Sequence, residues 1–272
     1  MSEPLRTTLL AGARRLLAAH ERELPQRDDL CGAFCGALAL AAAGLTQRES
    51  EPLDQDAVAF AAGSVVSGAR ENGVLPSGET GRRDYRLALP AIADSELSGT
   101  TAAGVVAAVE LLSDATLVPI ALRGPWRADT LGGLFDAAAE LERPVTLIAN
   151  LATHHLWGSR PSARQLLDHL CDGGLEGPPA DWNVGHFACV FARTRGPGGD
   201  VYALADTYPA LGDRGVHVQP AQLLAAAIER SDMPAGGVIA VVTAEDAPAL
   251  RSACAQLGLG EGIWDNGTTA AA

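Results

Sequence analysis

Cys31 is the residue whose type and position point most directly to chemistry. It lies in the segment LCGAFCGALALAAA, which is apolar on nearly all sides and predicts a buried helix over residues 30–43. Unpaired N–H groups and the positive end of the macrodipole at a helix start favour a thiolate over a thiol. Asp28 and Asp29 are expected to cap this start, and Gly44 to end the helix. Cys31 is therefore a candidate nucleophile.

A cysteine nucleophile needs a proton acceptor and an orienting group, and both must come from other elements of the fold. His186 opens a predicted strand after the loop DWNVG, and Asp206 ends the next strand, across a Gly-rich turn. In an antiparallel hairpin the start of one strand lies beside the end of its partner, so these side chains can hydrogen-bond. Asp206 would then orient the imidazole and stabilise its charged form. The sequence thus predicts a Cys31, His186 and Asp206 triad.

Two stretches resemble a known family. LPQRDDLCGAFCGALAL resembles the catalytic-helix segment of papain-like cysteine peptidases, most closely the bacteriocin-processing (double-glycine) branch. GHFACVFARTRGPGGDVYALADTYP is similar to the His-aromatic strand, hairpin turn and second strand of that branch. The spacing from glutamine to cysteine is one residue shorter here, Leu30 stands where that branch has Asp, and Asp-Thr-Tyr-Pro replaces the usual Asp-Pro. The middle of the chain is unmatched.

The resemblance implies a role for each matched residue. Cys31 would be the nucleophile, His186 the general base and acid, and Asp206 the group that orients the histidine. Gln26 would donate its side-chain amide to the oxyanion, together with the Cys31 backbone N–H. One such donor contributes roughly 3 kcal/mol in acyl transfer.

The resemblance leaves a second thiol in competition. In papain itself the second cysteine of a Cys-Gly-Ser-Cys pattern is the reactive one, which would correspond to Cys35. We favour Cys31 because Cys35 lies one helical turn deeper. Near the histidine, Trp182 and Gly185 are predicted to bind substrate, although Trp182 could instead pack the loop.

Cysteine and histidine side chains also allow a metal site. Cys31 and Cys35 could bind zinc with His154 or His155, but structural zinc sites usually show a second close cysteine pair, which this sequence lacks. We therefore expect no metal. The His154-His155 pair is otherwise interpreted as an exposed turn or as part of a substrate-binding surface.

The segment GETGRRDYR concentrates positive charge in an otherwise acidic chain. Arg82, Arg83 and Arg86 could form surface ion pairs with Glu79 and Asp84. Alternatively they could hold a carboxylate end of a substrate, since the guanidinium fork suits carboxylates.

Composition excludes several classes of function. The chain has 33 acidic and 20 basic residues, a net charge of −13, which argues against nucleic acid or an anionic membrane as partner. All the basic residues are arginine, so lysine chemistry is excluded. Nucleotide-binding and Gly-x-Ser-x-Gly motifs are absent, and we expect no cofactor. With no long apolar run and five cysteines, we expect a cytoplasmic protein without a disulfide framework.

Periodicity predicts one α+β domain over residues 1–272, papain-like by resemblance. A helical lobe over about 1–115 precedes a sheet-bearing lobe over about 116–264 and a frayed tail at 265–272. A long polar loop is expected at 71–84. The predicted helices cover 4–20, 30–43, 54–66, 99–112, 130–141, 162–170, 221–230 and 247–257. The predicted strands cover 117–122, 145–151, 187–193, 201–206 and 238–242.

The resulting hypothesis is a cysteine peptidase-like enzyme that attacks an amide or thioester carbonyl of a peptide or small acyl substrate through an acyl-enzyme. Two alternatives stay open. The same triad could serve an acyltransferase or cyclase that tailors a peptide or small molecule, because pocket shape selects the acceptor. A peptidase-like protein could also bind a peptide or partner without turnover.

Overall fold

The computed structural model describes residues 4–68 and 75–271. Within these residues the chain forms an antiparallel sheet of eight strands with helices on both faces. The predicted α+β class is confirmed. No helix in the described ranges is long and apolar enough to cross a membrane.

From residue 100 onward each predicted helix and strand is present within about three residues of its predicted bounds, but the strands at 216–220 and 260–261 were not predicted. The helices are α1 Ala13–Glu23, α2 Cys31–Ala42, α3 Gln55–Ala61, α4 Ala102–Leu112, α5 Ala128–Ala139, α6 Ala163–Asp172, α7 Ala221–Glu229 and α8 Ala247–Gln256. The strands are β1 Arg6–Leu9, β2 Gln47–Arg48, β3 Glu51–Pro52, β4 Val66–Ser67, β5 Ala91–Ile92, β6 Leu117–Arg123, β7 Thr146–Ala152, β8 Gly185–Arg195, β9 Asp200–Ala205, β10 Val216–Pro220, β11 Gly237–Thr243 and β12 Gly260–Glu261.

The main sheet has the strand order β10-β9-β8-β7-β11-β6-β12, and β1 pairs with the far end of β8. β8 and β9 form the predicted hairpin, with Cys189 opposite Ala205 and Arg195 opposite Asp200. This register brings the start of β8 beside the end of β9. The residues that open and follow the hairpin therefore meet at one end of the sheet.

α2 lies in the core between α1, α3, α4 and one face of the sheet. Two glycines allow this packing. A Cβ on Gly32 would lie 3.0–3.3 Å from Thr100, Val105 and Phe187, and one on Gly36 would lie 2.8 Å from a Val58 methyl. The absence of side chains at Gly32 and Gly36 thus lets α2 approach its neighbours closely. α5, α7 and α8 enclose a second core on the opposite face of the sheet.

The first predicted helix is wrong at its start. Residues 6–9 form strand β1, which pairs with 192–195 of β8, and α1 begins only at Ala13. Gly12 separates the two elements with φ of 89°, a backbone conformation that interrupts a helix. The apolar spacing of the segment also suits a sheet edge, so periodicity alone did not distinguish the two.

Two other predictions differ from the structure, at the end of α3 and in the tail. α3 ends at Ala61 rather than near residue 66, because Gly63 leaves the helical region and the chain then enters β4. The tail after Trp264 is not frayed over residues 265–271, since the Asn266 side chain bonds the start of α4 and the Thr269 N–H donates to the Leu97 carbonyl. The predicted loop is confirmed over 75–84, and residues 71–74 lie outside the described ranges.

Candidate active site

Cys31 is the first residue of α2 and is half-buried. Leu30 precedes the helix, and no side chain caps its start. The prediction that Asp28 and Asp29 cap this start is wrong, because the Asp28 carboxylate accepts the Arg82 N–H and the Asp29 carboxylate accepts the Ser67 N–H of β4, each at 2.7 Å. The N–H groups around Cys31 are therefore left without a competing side-chain acceptor, and they remain able to stabilise negative charge.

The structure brings the three predicted triad residues together. His186 Nε2 lies 2.8 Å from Asp206 Oδ1, and Cys31 is close enough to the His186 ring to raise its pKa through hydrogen bonding and charge. Since Nε2 faces the carboxylate, Nδ1 is the ring nitrogen left for the thiol. Side chains from α2, β8 and the residue after β9 thus form a Cys-His-Asp cluster.

The Asp206 carboxylate is held by further donors. Oδ1 also accepts the Thr207 backbone N–H at 2.6 Å, and Oδ2 lies 3.0 Å from His217 Nε2. The Gln219 amide donates to His217 Nδ1 at 3.1 Å, so the other nitrogen of that ring carries its proton and donates to Asp206. β10 thereby fixes the carboxylate that orients His186.

Burial and charge act in opposite directions on His186. Burial disfavours its charged form, but the attraction and hydrogen bond of Asp206, together with the hydrogen bond to Cys31, raise the pKa of His186 to about 10. Burial likewise disfavours a charged Asp206, but His186 and His217 hold the pKa of that carboxyl well below its usual range. The two groups therefore form a buried imidazolium-carboxylate pair at neutral pH.

Gln26 lies beside the site and is 4% exposed. Its backbone N–H donates to the Thr207 carbonyl at 2.9 Å, which ties it to the residue after Asp206. Its side-chain oxygen is buried without a hydrogen-bond partner among the described residues. No other described group therefore bonds to the oxygen of the Gln26 amide. The role of the Gln26 side-chain amide as a hydrogen-bond donor to the oxyanion stays a prediction.

The two predicted substrate-binding residues both lie at His186. The Trp182 ring contacts the His186 ring edge-on at a centroid distance of 4.9 Å and the Tyr208 ring at 5.6 Å. Trp182 is half-exposed, so it covers the histidine and also faces solvent. Gly185 opens β8 and is exposed. Trp182 therefore packs on His186 rather than on the loop alone.

Cys35 does not compete as nucleophile. Its side chain is fully buried, and burial raises the pKa of its thiol well above the usual value. Its carbonyl accepts a weak hydrogen bond from the Cys189 thiol at 3.8 Å. Cys35 packs in the core as a small apolar residue.

The zinc interpretation of Cys31 and Cys35 gains no support. His154 and His155 instead contact Asp232, at 2.7 and 3.3 Å from their Nε2 atoms. In the described parts of the chain, these three residues form the one group of potential ligands whose donor atoms lie within 4.8 Å of one another.

The arginines of the GETGRRDYR segment are engaged within the protein. Their carboxylate partners were only partly predicted, since Glu79 instead accepts the Ala210 N–H. The ion pairs join Arg82 to Asp84 at 2.8 Å, Arg83 to Asp28 at 3.6 Å and Arg86 to Asp54 at 2.8 Å. The surface ion-pair interpretation fits these arginines.

Sequence reasoning missed two buried histidines around Asp206. His217 faces inward from β10, and the polar residues in the alternating run VHVQP were a usable signal. His20, on α1, donates from Nε2 to the Asp206 carbonyl at 2.5 Å, and burial lowers the pKa of its ring. No local pattern pointed to His20, because its partner is 186 residues away.

Comparison with known proteins gives a family without an activity. A search of curated proteins finds none similar to this chain. A family model matches residues 10–265, which include the whole Cys-His-Asp cluster, and it is described as a family of unknown function, DUF6885. The chain belongs to this family.

Proposed function

We propose that this protein is a cysteine enzyme of papain-like type that cleaves an amide or thioester bond through an acyl-enzyme on Cys31. The observation that carries the proposal is the cluster of Cys31 with His186, whose ring is hydrogen-bonded to Asp206, at the uncapped start of a buried helix. The order of the triad along the chain and the packing of α2 against an antiparallel sheet support the papain-like interpretation. Five free cysteines fit a reducing, cytoplasmic setting.

The first half of the reaction transfers the acyl group to sulfur. The Cys31 thiolate attacks the carbonyl carbon, and the carbonyl electron pair moves to oxygen. The Cys31 backbone N–H and the Gln26 amide would stabilise that oxyanion. As the tetrahedral species collapses, the bond to the leaving group breaks and the His186 imidazolium gives its Nδ1 proton to the departing amine or thiolate.

The second half restores the enzyme. Neutral His186 removes a proton from water as the water oxygen attacks the thioester carbonyl, and the carbon–sulfur bond breaks to regenerate the thiolate. Asp206 stabilises the imidazolium that reforms and holds the ring in the orientation required by both halves. Only the Nδ1 proton of His186 moves in these steps, while the Nε2 proton that faces Asp206 stays on the ring.

Competitive alkylation tests the proposal within one molecule. Cys171 is exposed on α6 and serves as the internal reference thiol, while Cys31 is the only other cysteine that is not buried. We expect iodoacetamide to label Cys31 faster than Cys171 at pH 6, since the His186 imidazolium persists below a pKa of about 10 and stabilises the thiolate. Mass spectrometry of both peptides over pH 5 to 9 gives the two rates.

The pH dependence separates activation from simple accessibility. Because only the thiolate reacts, the rate at an ordinary exposed thiol such as Cys171 should rise steeply with pH, whereas the rate at a thiolate paired with the His186 imidazolium should change little with pH. In a His186→Gln variant the Cys31 rate should fall and follow the Cys171 profile. If Cys31 in the unmodified protein already follows that profile, the enzyme proposal is refuted and a non-catalytic binding role is favoured.

A further inference from the structure

Arg230 is a buried cation without an anionic partner at hydrogen-bonding distance. It follows α7 and is 6% exposed. Nη2 donates to Asn150 Oδ1 at 2.8 Å and to the Ala235 carbonyl at 2.9 Å. Nε and Nη1 are both buried and have no partner in the part of the chain that the structure describes. Burying charged donors without partners is costly, so this arrangement needs an explanation.

The nearby carboxylate does not provide one. Asp232 is the acidic group whose charge acts on Arg230, but its two oxygens are taken by His154 and His155. Burial lowers the pKa of Arg230 to about 10, and Asp232 offsets this only in part. The guanidinium therefore has both free donors and uncompensated charge.

Arg230 lies at the edge of the proposed active site. A Cβ on Gly185 would lie 3.5 Å from Nη1, and this is the one non-adjacent described atom within 4 Å of that point. Asn150 links the two regions, because its Oδ1 accepts from Arg230 and its Nδ2 donates to the His186 carbonyl at 3.2 Å. Nη1 thus lies next to the position where exposed Gly185, the neighbour of His186, lacks a side chain.

We propose that Arg230 is the receptor for a carboxylate of the substrate, which enters beside Gly185 and accepts a hydrogen bond from Nη1. A guanidinium is well suited to a carboxylate in geometry and charge. The substrate is then a peptide or acyl compound with an acidic group near the reactive carbonyl, either an acidic side chain or a free C-terminus. That the bound acid is a substrate rests on the proposed function, whereas the binding site itself does not.

Binding to a Cys31→Ala protein tests the receptor without requiring turnover. The probes are two matched pairs: N-acetyl-Ala-Glu-amide against N-acetyl-Ala-Gln-amide, and N-acetyl-Ala-Ala acid against its amide. We expect the acidic member of one pair to bind about 10- to 100-fold more tightly by calorimetry, the range for a charge-assisted hydrogen bond. A difference between the Glu and Gln probes identifies an acidic side chain as the bound group, and a difference between the Ala-Ala acid and its amide identifies a free C-terminus.

The same titrations in Cys31→Ala/Arg230→Gln should show the acidic and neutral probes binding equally. Equal binding of acidic and neutral probes to the Cys31→Ala parent would refute the proposal that Arg230 binds a carboxylate. A preference for acidic probes that survives Arg230→Gln would refute it as well. If acidic probes bind through Arg230 but Cys31 fails the alkylation test, the receptor stands and the catalytic proposal fails.

A second pair of variants keeps the test decisive if Arg230→Gln does not fold. In Gly185→Asp the new carboxylate is attached at the point 3.5 Å from Nη1, while Gly185→Asn offers a neutral group of the same size. We expect the Asp variant to melt at least about 2 °C above the Asn variant, because it pairs the buried cation, and to lose the preference for acidic probes. An Asp variant that melts no higher than the Asn variant would contradict the proposal.

Discussion

Replacing Cys31 by alanine is expected to lower kcat/KM for the enzyme's acyl or peptide substrate by about 10⁴-fold or more. The substitution removes the atom that forms the acyl-enzyme, and no other described thiol reaches His186. The fold should persist, because Cys31 is small and half-buried at a helix start, and the free energy of unfolding should change by less than about 1 kcal/mol. Steady-state kinetics and thermal unfolding measure the two effects.

Two further cysteine variants serve as controls for this result. Cys171→Ala removes an exposed thiol beside the turn that joins β8 to β9, at the opposite end of the hairpin from the triad, and it should leave kcat/KM unchanged. Cys35→Ala removes the buried rival thiol and should retain activity at a small cost in stability. Full activity in Cys31→Ala, or its loss in a folded Cys35→Ala protein, would refute the assignment of the nucleophile.

Replacing Asp206 by asparagine is expected to lower kcat by about 10⁴-fold, as when a triad carboxylate loses its charge. Both His186 and His217 donate a hydrogen bond to the Asp206 carboxylate, one to each oxygen. An amide has an N–H donor in place of one of these oxygens, so that donor would face the donor of one of the two rings. His217 cannot easily adapt, because the Gln219 amide fixes its tautomer. Breaking the buried pair should also destabilise the fold by about 3 kcal/mol. Activity and chemical unfolding are the measurements.

The stability effect should depend on pH in a defined way. His186 has a folded pKa of about 10 against 6.5 unperturbed, so its contribution is complete below pH 6.5 and is lost as the pH rises toward 10. Asp206 has a folded pKa below its usual 3.8, so its contribution is complete above that value and is lost as the pH falls further. The difference in unfolding free energy between the native protein and Asp206→Asn should therefore be largest between about pH 4 and 6.5.

Asp200→Asn is the matched control, since Asp200 begins the same strand but pairs with arginines at the opposite end of the hairpin. It should retain activity. A native-like kcat in Asp206→Asn, or a stability difference that does not decline between pH 6.5 and 10, would contradict the charged pair.

The triad could be predicted because its geometry depends on local signals. The all-round apolar run after Leu30 specifies a buried helix with Cys31 at its start. The Gly-rich turn specifies a hairpin, and antiparallel pairing places His186 beside Asp206 whatever the rest of the fold. The resemblance to papain-like peptidases rests on these same two segments. It therefore suggested which role each residue has, whereas the helix and hairpin patterns already predicted that the residues come together.

The surroundings of the triad could not be predicted in the same way. β1 depends on pairing with β8 more than 180 residues later, and its apolar spacing suits a helix equally well. The environment of Arg230 depends on Asn150 and Gly185 from separate strands. From the sequence alone, acid binding was therefore considered only for Arg82, Arg83 and Arg86, as the alternative to surface ion pairs. Strand register and tertiary packing decide which polar groups form hydrogen bonds, and neither can be deduced from a local sequence pattern.

The most direct test of the central claim is to follow acylation by p-nitrophenyl acetate and locate the acetyl group by mass spectrometry of quenched samples. We predict a burst of p-nitrophenol equal to one equivalent of protein, with one acetyl group on Cys31 that is released in the steady state. The burst should vanish in His186→Ala. An acetyl group found on Cys171, or on no cysteine, would contradict the claim that this triad activates Cys31.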